Sequence, residues 1–291
     1  MEARISGTTK LLGLIGSPVG HSGSPAMYNY GCQLKGLDYA YLAFDIQKED
    51  TADAIAAIKT FHMAGCSVTF PCKTEVVQYM DELSQAATIM GAVNTIVNQD
   101  GHLVGHNTDG EGFVRNLLDH GVEVKGKKIT ICGGGGAATA IQVQCALDGA
   151  REISIFNKKD EFFPRTEATA KKIMDGVEGI KVNVFDVDDA ETLKREMDDS
   201  DIFVNGTVVG MKPMDDQSIV KDPSFFRPEL IVCDVVYNPI ETKLLREAKA
   251  AGCKTIGGKG MLLWQGVSAF KLYTGEEMPV EEVKAKYFSE A

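Results

Sequence analysis

Lys73 is the side chain whose position first suggests chemistry. In the stretch GCSVTFPCKTEVVQYMDEL, residues 65–83, Val68 and Phe70 alternate with polar residues as in a half-buried strand that a proline then ends. Apolar residues next recur at helical spacing, which predicts a helix over 74–83. Lys73 would lie at the start of this helix, where the macrodipole disfavours an ammonium group. It is therefore either an indifferent surface charge or a lysine placed for catalysis.

Other polar side chains lie near predicted strand ends in the N-terminal part. Ser22 and Ser24 occupy the turn GSPVGHSGSP, where hydroxyl and backbone N–H groups suit a carboxylate ligand, although Ser24 also suits the N-cap of the next helix. Asn94 interrupts the apolar stretch GAVNTIV, so it must bond either a ligand or an internal partner. Asp109, in HNTDGEGF, suits a ligand site or an N-cap.

A glycine-rich motif, KKITICGGGGAATA, gives the clearest functional signal. Gly133, Gly135 and Ala138 satisfy the pattern G-x-G-x-x-G/A directly between a predicted strand and a predicted helix. The first glycine permits a tight turn, the second lets backbone N–H groups approach a pyrophosphate, and the alanine permits close packing of helix on strand. A flexible turn is the alternative, but the strand–helix context favours a Rossmann-like dinucleotide site.

The end of the next strand, in EISIFNKKDEFFP, bears on which dinucleotide is used. Lys158 and Lys159 suit the 2′-phosphate of NADP, whereas Asp160 suits the ribose hydroxyl of NAD. A solvated charged loop without any ligand is the third interpretation. We favour NAD, with NADP as the alternative.

Composition excludes several function classes. The chain has 291 residues, 44% of them hydrophobic, enough for two cores, and its net charge of -11 argues against nucleic acid or an anionic membrane as partner. The seven cysteines show no CxxC pair and the five histidines no ligand spacing, so no metal site or disulfide framework is predicted. The N-terminus lacks the apolar region of a signal peptide, which predicts a cytoplasmic protein.

Strand and helix patterns alternate along the chain and predict an α/β fold with two domains. Residues 1–110 form a mostly parallel α/β substrate domain, and residues 111–260 form the dinucleotide-binding domain. The polar stretch 98–112 interrupts the pattern and marks the crossing. Residues 261–291, which begin with an apolar helix over 261–274, are expected to pack back on the first domain, and the ligands to lie in a cleft between the domains.

Seven motifs in order resemble those of the shikimate dehydrogenase family, from about residue 10 to 275. They are GLIGSPVGHSGSP, VTFPCK, GAVNTIV, NTDGEGF, GGGGAATA, VVYNP and GMLLWQG. The loop FNKKDEFF is similar to that of the quinate/shikimate dehydrogenase branch, which has an acidic residue there and accepts NAD. The resemblance implies reversible oxidation of shikimate to 3-dehydroshikimate and of quinate to 3-dehydroquinate, in the shikimate pathway or in quinate metabolism.

The resemblance also implies roles for individual residues. Lys73 and Asp109 would be the catalytic pair. The substrate would contact Ser22, Ser24, Tyr41, Thr69, Asn94, Thr108, Tyr237 and Gln265. The cofactor would contact Gly133, Gly134, Gly135, Gly136, Ala137, Asn157, Lys158, Lys159, Asp160, Val235, Val236, Asn238 and Gly258.

Two residues depart from the family pattern. Cys72 stands where the family more often has His or Asn, and Val208 is bulkier than a polar equivalent, which puts cofactor contacts of its loop in doubt. Two other functions remain open: a dehydrogenase of another small hydroxy acid, and a non-catalytic dinucleotide or metabolite sensor. Retention of both Lys73 and Asp109 speaks against the sensor. A homodimer is compatible with all of these features.

Overall fold

The computed structural model describes residues 5–289, which form two compact units. The first unit contains residues 5–108 and 265–289, and the second contains residues 109–264. The boundaries therefore differ from the expected 110 and 260, because Asp109 and the first turns of the apolar helix are grouped with the second unit. Each unit has its own sheet.

The first unit consists of a six-stranded sheet covered by helices. Its elements are β1 (Lys10–Gly16), α1 (Ser24–Lys35), β2 (Tyr39–Asp45), α2 (Thr51–Thr60), β3 (Gly65–Val68), β4 (Glu82–Leu83), α3 (Gln85–Met90), β5 (Thr95–Gln99) and β6 (His102–His106). The strand order is β2-β1-β3-β5-β6-β4. β5 is antiparallel to both of its neighbours, and the other three pairs are parallel.

The helix expected over 74–83 is wrong. Only Glu75–Tyr79 is helical, as a short 3₁₀ segment, and the chain then becomes extended. The carboxylate of Asp81 accepts a hydrogen bond from the Leu103 backbone N–H at 2.7 Å, and the Asp81 N–H donates to the Leu103 carbonyl. These bonds direct the next residues into β4, beside β6. Pairing with a distant strand therefore overrides the local helical spacing, and Lys73 lies in a turn.

The stretch 98–112 is not a simple interruption, because it contains β6 and a tight hairpin turn. Asp100 and Gly101 adopt φ values of 53° and 96°, the positive φ that a two-residue hairpin turn requires. The pair Asp-Gly is a common sequence for such a turn, so the signal was present in the chain. The hairpin adds two antiparallel pairings to an otherwise parallel sheet.

The C-terminal residues of the first unit pack on its α1. They belong to α9 (Lys259–Thr274), from Gln265 onward, and to α10 (Val280–Tyr287). A Cβ atom at Gly266 would lie 2.3 Å from Met27 Cε, so the absence of a side chain permits this close approach. Tyr28 stacks on Tyr41 with ring centroids 4.4 Å apart and also on Phe270. This aromatic cluster joins the C-terminal helix to the first sheet.

The second unit is a parallel sheet with the strand order β12-β11-β10-β7-β8-β9. Its elements are α4 (Asp109–Asp119), β7 (Lys128–Cys132), α5 (Gly136–Leu147), β8 (Glu152–Asn157), α6 (Phe163–Gly176), β9 (Lys181–Asp186), α7 (Ala190–Asp198), β10 (Ile202–Asn205), β11 (Ile231–Asp234), α8 (Lys243–Ala250) and β12 (Lys254–Ile256), followed by the start of α9. All five strand pairs are parallel. This doubly wound order is that of a Rossmann-like fold, as predicted, with its reversal between β7 and β10.

Within residues 5–289, no helix has both the length and the apolar composition needed to cross a bilayer. All seven cysteines are buried and carry free thiols.

Candidate functional site

In the first unit, backbone hydrogen bonds fix the turn that carries Lys73. The Cys72 N–H donates to the Thr69 carbonyl at 2.9 Å, and the Val76 N–H donates to the Cys72 carbonyl at 3.0 Å. The carbonyl of Lys73 accepts a hydrogen bond from the Val93 N–H at 2.8 Å. Lys73 is therefore held next to the residue that precedes Asn94.

Asn94 and Thr108 form a buried hydrogen-bonded pair and are only 4% and 1% exposed. The Thr108 N–H donates to Asn94 Oδ1 at 2.8 Å, and Asn94 Nδ2 donates to Thr108 Oγ1 at 3.0 Å. Asn94 Oδ1 also accepts from the Thr95 hydroxyl. Asn94 thus has internal partners, one of which is Thr108, the residue that directly precedes Asp109.

The turn after β1 contains the two predicted serines. Ser22 Oγ accepts a hydrogen bond from the Ser24 N–H at 3.2 Å, and Gly23 rather than Ser24 is the N-cap of α1. The interpretation of Ser24 as an N-cap is therefore wrong, because α1 starts one residue earlier than the proline suggested. Gly16 approaches Thr69 closely, since a Cβ atom there would lie 2.5 Å from Thr69 Cγ2.

Tyr41 and Gln265 differ in exposure. Tyr41 is 1% exposed and stacked on Tyr28, and burial raises the pKa of its hydroxyl well above the usual value. Gln265 is half-buried on α9. Tyr41 thus lies in the aromatic core of the unit, and its contact with a substrate remains a prediction.

In the second unit, close packing of two helices positions Asp109. It is the first residue of α4, in the first turn of which a carboxylate is favoured by the helix dipole. A Cβ atom at Gly110 would lie 2.2 Å from the Ala140 carbonyl oxygen on α5. Asp109 therefore stands directly beside the point where α4 and α5 touch.

The glycine-rich loop between β7 and α5 leaves backbone open to solvent. Gly133 has φ 122°, which glycine adopts readily, and its N–H donates to the Phe156 carbonyl. A Cβ atom at Gly134 would lie 2.5 Å from Thr166 Oγ1, whereas Cβ atoms at Gly135 and Gly136 would meet nothing within 4 Å. Gly135, Gly136 and Ala137 are exposed at the N-terminus of α5. This arrangement fits a pyrophosphate.

The loop after β8 carries the predicted cofactor-selecting residues. Asn157 Nδ2 donates to Thr166 Oγ1 at 2.9 Å, and Lys158, Lys159 and Asp160 are exposed. Asp160 Oδ1 accepts a hydrogen bond from the Phe162 backbone N–H at 2.9 Å. Asp160 therefore has a structural task at the start of α6, which the sequence interpretation did not include.

The residues after β11 are partly exposed. Val236 is buried, while Tyr237 and Asn238 are exposed and Val235 is half-buried. A Cβ atom at Gly258 would lie 2.2 Å from the Val235 carbonyl oxygen, so Gly258 permits this loop to approach β12. Val208, in the loop after β10, is also exposed.

Asp234 is a residue that the sequence analysis missed. It ends β11, is 2% exposed, and accepts hydrogen bonds from Asn205, Val236 and Thr242. Burial raises the pKa of this carboxyl to about 6, against the opposing effect of the three hydrogen bonds. The available signal was a single acidic residue that ends the apolar run LIVCD.

The donor groups of the second unit suit an organic cofactor. Among the residues that the structure describes, no three His, Cys, Asp or Glu side chains come together to hold a metal ion. The exposed N–H groups of the glycine loop, at the N-terminus of a 12-residue helix without acidic residues in its first turn, suit a dinucleotide.

Two family profiles match the chain. Residues 14–96 match the shikimate dehydrogenase substrate binding domain, and residues 258–286 match the shikimate 5′-dehydrogenase C-terminal domain. The matches fall in the first unit and around α9.

Individual relatives are similar over almost the whole chain. Shikimate dehydrogenase (NADP(+)) of Streptococcus uberis is 49% identical and aligns with 100% of this chain and 99% of its own. The crystal structure of shikimate 5-dehydrogenase from Listeria monocytogenes in complex with shikimate and NAD is 48% identical, covers 98% of both chains and has a TM-score of 0.96. Quinate dehydrogenase from Corynebacterium glutamicum in complex with NAD is 30% identical, covers 97% of this chain and 99% of its own, and has a TM-score of 0.85.

Proposed function

The chain belongs to the shikimate dehydrogenase family, and on this premise we propose that it reversibly oxidises shikimate to 3-dehydroshikimate with a nicotinamide dinucleotide. The observation that carries the proposal is the similarity to shikimate dehydrogenases over almost the whole chain. The glycine-rich loop at the N-terminus of α5 supports the dinucleotide, since its exposed N–H groups suit a pyrophosphate.

The first unit would bind the substrate. Shikimate is a small polyhydroxylated carboxylate, so its site needs hydroxyl and amide groups together with donors for the carboxylate. Ser22, Ser24, Thr69, Asn94 and Thr108 offer these groups in the loops and strand ends of this unit. Tyr41, Gln265 and Tyr237 complete the proposed set.

Lys73 and Asp109 would move the proton. The dinucleotide supplies the hydride acceptor for the carbon that carries the reacting hydroxyl. Lys73 Nζ and the Asp109 carboxylate would share the hydroxyl proton, which leaves as the hydride is transferred and returns in the reverse reaction. The backbone bond from Val93 to Lys73 and the packing of Gly110 on α5 support both roles, because they hold each residue in place.

We expect both NAD and NADP to serve as cofactor. Lys158 and Lys159 are exposed beside Asp160, so the loop offers charges for either form of the adenosine ribose. The Streptococcus uberis relative is named for NADP(+), whereas the Listeria monocytogenes structure holds NAD. The initial preference for NAD, with NADP as the alternative, is therefore widened to dual use.

Quinate is the second candidate substrate. The Corynebacterium glutamicum quinate dehydrogenase, which covers 97% of this chain and 99% of its own, supports it. Quinate has the carboxylate and ring hydroxyl groups of shikimate, so the same donor set suits both.

A substrate panel tests the proposal. The purified protein is mixed with shikimate, quinate or other small hydroxy acids and with NAD or NADP, and the absorbance of the reduced nicotinamide is followed. We expect turnover of shikimate with at least one cofactor. Turnover of a different hydroxy acid alone would support the broader dehydrogenase, and dinucleotide binding without any turnover would support the sensor.

A further inference from the structure

The buried carboxylate of Asp234 joins two loops of the second unit. Its Oδ1 accepts from Asn205 Nδ2 at 2.9 Å and from the Val236 N–H at 3.0 Å, and its Oδ2 accepts from the Thr242 hydroxyl at 2.7 Å. Asn205 ends β10 and is the register partner of Asp234 in the sheet. One side chain thus connects the ends of two neighbouring strands with the start of α8.

The partners of Asp234 extend this connection along the loop after β10. Asn205 Nδ2 also donates to the Val209 carbonyl at 2.9 Å, and Asn205 Oδ1 accepts from the Thr207 N–H and hydroxyl. Thr207 Oγ1 in turn accepts from the Val209 N–H. The conformation of residues 205–209 therefore depends on how Asp234 holds Asn205.

The sheet order shows which half of a dinucleotide these loops would face. The glycine loop and the loop after β8 lie on the β7-β8-β9 side of the sheet, where a doubly wound fold binds the pyrophosphate and the adenosine ribose. The loops after β10 and β11 lie on the other side of the strand-order reversal. In a doubly wound fold this second half of the sheet binds the second mononucleotide, which here is the nicotinamide half.

We propose that Asp234 is a positioning residue, which holds the loops after β10 and β11 in the conformation that receives the nicotinamide half of the cofactor. The inference rests on the proposed dinucleotide function. A buried carboxylate is costly unless its oxygens are hydrogen-bonded, and here the three donors come from the end of β10, the loop after β11 and the start of α8. Removal of the carboxylate leaves these donors unpaired, so the loops must rearrange.

The test compares a whole dinucleotide with its adenosine half. Dissociation constants are measured for NAD, NADP and ADP with the parent protein, Asp234→Ala and Thr242→Val. We expect Asp234→Ala to weaken the intact cofactor about tenfold or more and Thr242→Val about threefold or more. Binding of ADP should stay within about twofold, because the hydrogen bonds of Asp234 go to Asn205, Val236 and Thr242 and not to the glycine loop.

Glu196→Ala provides the matched control. Glu196 is also a buried, hydrogen-bonded acid of this unit, but it contacts Lys128 at the amino end of β7, with 2.8 Å between Glu196 Oε2 and Lys128 Nζ. We expect it to lower the stability of the protein and to leave the ratio of dinucleotide to ADP affinity unchanged. Asp234→Asn keeps one acceptor oxygen and should recover most of the lost affinity.

The outcomes separate the inference from the proposed function. A parent protein that binds neither NAD nor NADP would refute the proposed function. The role of Asp234 would be refuted if the parent binds a dinucleotide and the variants lose affinity for the intact cofactor and for ADP equally, or lose affinity for neither. If Asp234→Ala does not fold, the ratio measured for Thr242→Val decides.

Discussion

Contacts with residues outside their own turns fix the backbone at Lys73 and Asp109. The Val93 N–H binds the Lys73 carbonyl, and Gly110 holds the start of α4 against α5. Groups that transfer protons need such fixed positions, because proton transfer requires hydrogen-bond reach.

We expect Lys73→Ala to lower kcat by about 10²–10⁴, the loss usual for a general acid–base group, and to leave dinucleotide affinity unchanged. Asp109→Asn should also impair turnover, since it keeps the shape and removes the charge. Steady-state kinetics and cofactor titration measure both effects. Lys171→Ala, an exposed lysine on α6, is the control. Turnover by Lys73→Ala at close to the parental rate would show that Lys73 is a surface charge without a role in catalysis.

Asp160 combines a structural bond with a proposed cofactor contact, and two substitutions separate them. Asp160→Asn keeps an oxygen acceptor for the Phe162 N–H and removes the charge. This substitution should weaken the binding of NAD by roughly 1–3 kcal/mol, because a charge-assisted hydrogen bond to the ribose is lost. The binding of NADP should be equal or tighter. Asp160→Ala should weaken both, since the turn also changes. An equal loss of both cofactors in the Asn variant would argue against the ribose contact.

Ionisation of Asp234 makes stability depend on pH. Burial raises its pKa from 3.8 to about 6, so the folded protein holds this proton more tightly than the unfolded chain does. Stability from this group is therefore greatest at low pH and is lost as the pH rises through about 6.

Asp234→Asn removes the titratable carboxyl group, so a comparison of this variant with the parent isolates the effect. The unfolding free energy of the parent minus that of Asp234→Asn should fall by about 1 kcal/mol or more between about pH 5 and about pH 7.5. Denaturant unfolding at the two pH values measures it. A difference that stays constant or rises would contradict the assignment.

At the scale of elements, the contact of α4 with α5 determines the position of the first turn of α4, which carries Asp109. Gly110→Ala should destabilise the protein by roughly 1–3 kcal/mol, although alanine normally favours a helix, because its Cβ would overlap the Ala140 carbonyl. It should also lower turnover, since Asp109 moves with α4. Gly7→Ala, where a Cβ meets nothing within 4 Å, is the control. A gain in stability at Gly110 would show that the two helices can separate without cost.

The elements differ in how far the sequence could predict them. The glycine loop was predictable because its pattern is local, and Gly133 has the positive φ of a tight turn. The helix over 74–83 was mispredicted because Asp81 bonds Leu103, a partner 22 residues away. Asp234 was missed for a similar reason, since its partners Asn205 and Thr242 lie in separate segments. Local spacing thus predicts turns and strands, and long-range hydrogen bonds decide the exceptions.

At the scale of the whole molecule, the chain combines two chemistries in two units. The first offers hydroxyl and amide groups for a small carboxylate, and the second offers backbone N–H groups for a pyrophosphate. Both proposed ligands are anions, whereas the protein has a net charge of -11. Binding therefore depends on local donors, and long-range attraction does not assist it.

Because all seven cysteines are buried, the rate at which their thiols are alkylated reports the opening of the folded protein. Burial raises the pKa of Cys66, Cys132 and Cys233, so few thiolates are present for an alkylating reagent. Labelling should therefore occur only through opened states of the protein.

The thiols are also divided between the units: Cys32, Cys66 and Cys72 lie in the first, and the other four lie in the second. Mass spectrometry of pulse-alkylated peptides should thus reveal which unit opens first. NADP should slow labelling of the second set and shikimate that of the first, because each ligand stabilises the unit that binds it. Uniform labelling of all seven would instead mean that the two units open together.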